Sequence, residues 1–104
     1  MNLLEITLEN PIGYDEVIRL RSELISAKRH DFLIIDTGGH DFLSIKVQRQ
    51  LKDQLSDLEP CLTKFKKIAF IYLPQYFYAI DNPEKHNFFT SKENAKIWFL
   101  KPTD

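Results

Sequence analysis

The sequence predicts an α/β sandwich of about four mostly parallel strands packed with about three helices, formed by residues 1–104 as one domain. Three observations predict it. Strand-length and helix-length apolar patterns alternate along the chain, the order that gives parallel pairing and right-handed crossovers. Two strand-length runs, Phe32-Leu33-Ile34-Ile35 and Ile68-Ala69-Phe70-Ile71-Tyr72-Leu73, are apolar throughout, as strands covered on both faces are. A chain of 104 residues is long enough to bury one core and too short for two.

Leu3 to Leu8 is short and rich in Leu, Ile and Thr, and the turn-forming Glu9-Asn10-Pro11-Ile12-Gly13 ends it, so it reads as the first strand. From Asp15, the residues Val17, Leu20, Leu24 and Ala27, flanked by Ile18 and Ile25, recur at helical spacing. Glu16, Arg19, Arg21, Glu23 and Lys28 fall toward the other face. This helix is expected to end near Arg29-His30. Phe32 to Ile35 is the second strand. Beyond Gly38 and Gly39, the residues Leu43, Val47, Leu51, Leu55, Leu58 and Leu62 form a second stripe, which Pro60 breaks or kinks.

Ile68 to Leu73 is the third strand, entered from Lys64-Phe65-Lys66-Lys67 and closed by Pro74. Gln75 to Asn87 reads as mostly irregular, with a turn at Asp81-Asn82-Pro83. Phe88-Phe89 is a short strand. Thr90-Ser91-Lys92-Glu93 has capping-box spacing, with Thr90 accepting from the Glu93 amide. The helix it opens turns Ala95, Trp98 and Phe99 inward and stops at Pro102.

Composition excludes several classes. With 43% hydrophobic and 28% charged residues the chain is no disordered segment. A net charge of -1 supplies no global field for nucleic acid or an anionic membrane. Met1-Asn2-Leu3-Leu4-Glu5-Ile6 lacks the basic start and apolar run of a signal peptide, and no stretch approaches the ~20 apolar residues that span a bilayer. The single Cys61 forms no internal disulfide and no cysteine-based zinc site, which favours a cytoplasmic address.

Leu33-Ile34-Ile35-Asp36-Thr37-Gly38-Gly39 resembles the way an aspartic protease presents its carboxylate. Such an enzyme needs two carboxylates sharing a proton on an all-β fold, whereas this Asp-Thr-Gly occurs once and leads into a helix. Asp36 therefore reads as the polar end of a parallel strand, and Gly38 and Gly39 as a turn free to take positive φ. Ligands of open α/β sheets bind at the carboxyl ends of parallel strands, which makes Asp36, Gly38, Gly39, His40 and Asp41 the ligand-binding candidates. No GxGxxG or GxxxxGK[ST] accompanies them. His30, His40 and His86 lack HxxxH or HExxH spacing, so no metal is assigned. Cys61 reads as a buried thiol at the end of the leucine stripe. Lys64-Phe65-Lys66-Lys67 fits a basic loop feeding a strand better than a nucleic-acid site. Tyr76-Phe77-Tyr78 is aromatic enough to be an interface or the wall of an apolar pocket.

The strand end Asp31-Phe32-Leu33-Ile34-Ile35-Asp36-Thr37-Gly38-Gly39, the helix after it, Lys66-Lys67-Ile68-Ala69-Phe70-Ile71-Tyr72-Leu73-Pro74 and the segment from Asn87 to Leu100 together resemble the SpoIIAA-like proteins of the STAS superfold, over nearly the full chain. The resemblance implies a STAS-like sandwich and a small, cytoplasmic, non-catalytic module that binds a protein partner or a small apolar ligand. Phosphorylatable members carry an Asp-Ser-Ser-Gly-like stretch where this chain has Phe42-Leu43-Ser44-Ile45-Lys46, and Ser44 here reads as a first-turn or cap residue.

The expectation is a regulatory or binding module without catalysis or cofactor, working through contacts with a protein partner or with a second copy of itself as a homodimer, near Tyr76, Phe77 and Tyr78. The alternative is a small-molecule domain with its site at the Gly38–Asp41 loop, which is also where any catalysis would be placed.

Overall fold

The computed structural model describes residues 2–9, 11–72 and 85–101. The chain is an α/β protein with the elements β1 (Leu3–Thr7), α1 (Tyr14–Ser26), β2 (Phe32–Asp36), α2 (Ile45–Asp57), α3 (Glu59–Leu62), β3 (Lys67–Ile71), β4 (His86–Phe89) and α4 (Lys92–Phe99). The four strands form one sheet in the order β1-β2-β3-β4, and all three pairings are parallel. Strands laid down in sequence with crossovers of one hand put the intervening helices on one face. Accordingly α1, α2 and α3 cover one side, and α4, following the last strand, covers the other.

The register sorts the side chains by face. Ile6, Ile35, Phe70 and Phe88 align across the sheet and meet Val17, Leu20, Leu24, Val47, Leu51 and Leu55 in the larger core. The Phe70 and Phe88 rings stack at 5.2 Å. The neighbouring row contributes Ile34 and Ala69 to the smaller core, where Phe99 stacks on Phe32 at 4.6 Å and Ala95 is fully buried. Burying each large apolar side chain is worth about 1.5–3 kcal/mol, so both faces drive folding. β3 is buried at every position, as a central parallel strand should be.

Several expectations are corrected. The helix after the glycines starts at Ile45, because Ser44 accepts from the Val47 amide at 3.2 Å and fixes the first turn there. Leu43 therefore stands outside the helix and is 68% exposed. The leucine stripe divides at Leu58 rather than at Pro60, which instead occupies the first turn of α3, where a missing amide costs nothing. Cys61 is half-buried against the core. His86 and Asn87 belong to β4 and not to irregular chain. The last helix is capped by Ser91, which accepts from Asn94 at 3.2 Å, and Thr90 lies one residue before the cap. Helix α1 ends at Ser26, short of Arg29.

The lysine cluster explains two helix endings. Lys64 Nζ donates to the Ala27 carbonyl at 2.8 Å and to Ile25 at 3.3 Å, closing the carboxyl end of α1. Lys67 is buried, and its Nζ donates to the carbonyls of Trp98 and Lys101, each at 2.8 Å, closing α4. Cations suit helix carboxyl ends, where unpaired carbonyls carry the negative end of the dipole.

Replacing the true cap separates the two assignments. Ser91→Ala should lower stability by about 1 kcal/mol in urea unfolding, while Thr90→Ala should stay within about 0.5 kcal/mol of the parent. The reverse ranking would return the cap to Thr90.

Candidate functional site

The carboxyl ends of the strands carry Thr7, Asp36, Ile71 and Phe89 in one register row. Asp36 is buried, and its Oδ1 accepts from the Gly38 amide at 2.7 Å, the two-residue span of an Asx turn. Thr37 is buried beside it and donates to the Ile71 carbonyl from its hydroxyl at 3.1 Å and its amide at 3.2 Å. The chain then turns through Gly38 at φ +67° and Gly39 at φ +77°. A Cβ on Gly38 would sit 2.8 Å from the Leu8 carbonyl oxygen, whereas one on Gly39 would meet nothing within 4 Å.

The rest of this loop is tied to the loop after β1. Ile12 and Phe42 form a parallel bridge, with Ile12 donating to the Asp41 carbonyl at 2.9 Å and Leu43 donating to the Ile12 carbonyl at 2.9 Å. The His40 amide donates to the Thr37 carbonyl at 3.1 Å. The Gly38–Asp41 segment thus braces two loops against each other.

On the α4 side of Asp36 lies an open cleft of about 250 Å³, lined by Asp36, Ile71, Tyr72, Ser91, Lys92 and Glu93. Lys92 Nζ stands 3.6 Å from Asp36 Oδ2 and 3.7 Å from Glu5 Oε2, and Lys96 Nζ lies 3.7 Å from Glu5 Oε1. The amides of Lys92 and Glu93 open α4 and have no acceptor within it. Tyr72 borders this cleft with its backbone at φ +63°, a conformation that costs a bulky residue on the order of 1–3 kcal/mol. Its amide donates to the Phe89 carbonyl at 3.0 Å, and its side chain is exposed.

Of the candidates read from sequence, Asp36 alone lines this cleft; Gly38, Gly39, His40 and Asp41 lie in the braced loop. Tyr76, Phe77 and Tyr78 lie outside the described residues. Glu5, Tyr72 and Lys92 escaped sequence reasoning because they come from β1, the end of β3 and α4, and no local motif joins them. Asp36 has an amide and an ammonium for neighbours, where an aspartic protease would need a second carboxyl. Among the described residues no group of three or more His, Cys, Asp or Glu side chains could hold a metal ion. Among them, too, no helix is long and apolar enough to cross a membrane.

A second surface is apolar. Tyr14, Ile18 and Ile25 lie within about 40° of one line along α1, about a third of a turn from the buried Val17, Leu20 and Leu24. All three are exposed, by 51%, 60% and 48%. Arg21 lies on the same line and reaches Gln54, so the stripe runs along the seam between α1 and α2. At its amino end the exposed Leu43 approaches Gly13, and Pro11, Gly13, Tyr14, Asp15, Glu16 and Leu43 enclose a groove of about 470 Å³.

Compared with protein-family models, curated proteins and solved structures, the chain matches none.

The two glycines should respond differently to a methyl group. Gly39→Ala carries only the left-handed backbone penalty and should cost about 1 kcal/mol in thermal unfolding. Gly38→Ala adds the clash with Leu8 and should cost clearly more. Equal losses would show that the close approach to Leu8 is unimportant.

Proposed function

We propose that the chain is a non-catalytic binding or regulatory module that acts through protein contacts made by the outer face of α1. The observation that carries this reading is the line of Tyr14, Ile18 and Ile25. Single exposed apolar residues are ordinary on a soluble domain, but three on one line of one helix form a continuous strip. The residues this helix buries in the core are Val17, Leu20 and Leu24, and the additional apolar arc is left about half-exposed or more. The resemblance to SpoIIAA-like proteins, with the STAS-like sandwich and cytoplasmic setting it implies, supports the same reading. The interface expected at Tyr76, Phe77 and Tyr78 lies outside the described residues, and the α1 face is a separate contact surface.

Ile18→Asp with Ile25→Asp tests it. Ile18 is 60% exposed and Ile25 48%, so the fold should persist with a urea midpoint only moderately lowered. A tagged copy expressed in its own cells should lose its captured protein, of whatever identity, by at least about ten-fold, as expected when apolar anchors are replaced. Undiminished capture by the folded variant would sink the reading.

A second reading rests on Tyr72. Strain held at a strand end beside a cleft favours a small polar ligand bound between Asp36, Tyr72 and the start of α4. The charged lining suits a polar molecule rather than the apolar one that the family resemblance implies. Tyr72→Gly should relieve the strain, leaving stability equal or raised by about 1 kcal/mol, and should weaken retention of a ligand in native mass spectrometry. A marked loss of stability would assign Tyr72 to packing instead.

A further inference from the structure

We propose that the α1 face closes on a second copy of this chain, with the two α1 helices antiparallel about a two-fold axis. The inference rests on the reading of α1 as a protein-contact surface and names the partner.

A two-fold interface requires a patch complementary to its own rotated image. The α1 face has this property. Its amino end carries Asp15, exposed in the first turn, while the neighbouring Glu16 is already paired with Arg19 at 3.0 Å. Lys28 and Arg29, both exposed, follow its carboxyl end. Rotation by half a turn brings each acidic end to the basic end of the other copy; a parallel arrangement would set like charges together. The helix dipoles favour the same choice.

The spacing fixes the register. Pairing Ile18 with Ile25 of the second copy centres the contact between Arg21 and Ser22. In that alignment Asp15 and Tyr14 come to the end of the second copy's α1, just before the segment that carries Lys28 and Arg29. The apolar contact and the charged contact thus ask for one alignment, with Tyr14 offering its ring to a guanidinium. Ser22 is small and exposed near the axis, so the helices can approach, while Arg21 is turned toward Gln54 of its own chain. The net charge of -1 leaves little repulsion between copies.

Charge exchange on the full chain is the test. One variant carries Asp15→Arg, and a second carries Lys28→Glu with Arg29→Glu. Sedimentation velocity over a wide concentration range should show the parent dimerising and each variant alone weakened by at least about ten-fold, because like charges then face each other at both ends. In an equimolar mixture both ends become complementary again. Native mass spectrometry of the mixture, with one variant isotopically labelled, should show mainly the mixed dimer. A parent that stays monomeric at hundreds of micromolar overturns the inference. So does a dimer indifferent to these changes. If the monomeric parent still captures a different protein through Ile18 and Ile25, the second copy is excluded while the wider role of the α1 face stands; if Ile18→Asp with Ile25→Asp changes no capture at all, both fall.

Discussion

Because every strand of this sheet points the same way, the helices that cover it begin at one edge and end at the other, so unpaired amides gather at the first edge and unpaired carbonyls at the second. The sequence answers with different residues at each edge. At the carboxyl ends of the strands stand acceptors: Asp36 for Gly38, Ser44 for Val47 and Ser91 for Asn94. At the opposite edge stand donors, Lys64 for α1 and Lys67 for α4. Lys67 can be buried because two carbonyls and the face of Trp98, 5.0 Å away, replace the water it gives up.

This polarity also decides where chemistry could gather. The acceptor edge brings Asp36 and the start of α4 together, and Lys92 neutralises the carboxylates that the sheet presents there. Asp36 serves the turn with one oxygen and faces Lys92 with the other, so a single residue joins the loop braced against Ile12 to the cleft beside Tyr72. The resemblance of Asp-Thr-Gly to a protease motif has a structural origin here: a short carboxylate, a hydroxyl and flexible glycines are also what a parallel strand needs to turn sharply before a helix.

The sheet was legible because β2 and β3 are apolar at successive positions and the helices between them keep helical spacing. Local patterns misled where two readings shared one spacing. Leu43 continues the leucine period, yet Ser44 caps after it and leaves it outside; Thr90 and Ser91 both stand three residues before a residue whose amide could be capped, and only packing chooses between them. The targets of Lys64 and Lys67 lie more than 30 residues away along the chain, at |i−j| of 37 and 31, and no charge pattern reveals them. Nothing in the sequence marks Tyr72 for its left-handed backbone, since the pattern of this strand is simply apolar and aromatic. The exposure of Ile18 and Ile25 was equally hidden: helical spacing set them beside the core line, and only the position of α2 shows that they remain outside it.

The β1 edge of the sheet and the outer face of α1 are rival routes to association, and the two flanks of α1 decide between them. One flank holds Arg19, whose Nη2 donates to the Thr7 carbonyl at 2.8 Å while Glu16 and Glu23 grip the same guanidinium. The hydrogen bond that Arg19 donates to Glu16 is the main influence raising the Arg19 pKa further above its ordinary value. A cation over an edge carbonyl, with the charged Glu5 in the same strand, is a common defence against strand-to-strand pairing. The other flank carries Tyr14, Ile18 and Ile25 with no such cover. An incoming chain therefore meets an obstructed ladder on β1 and an open apolar line on α1, and contact through the helix leaves the parallel sheet and both of its cores undisturbed.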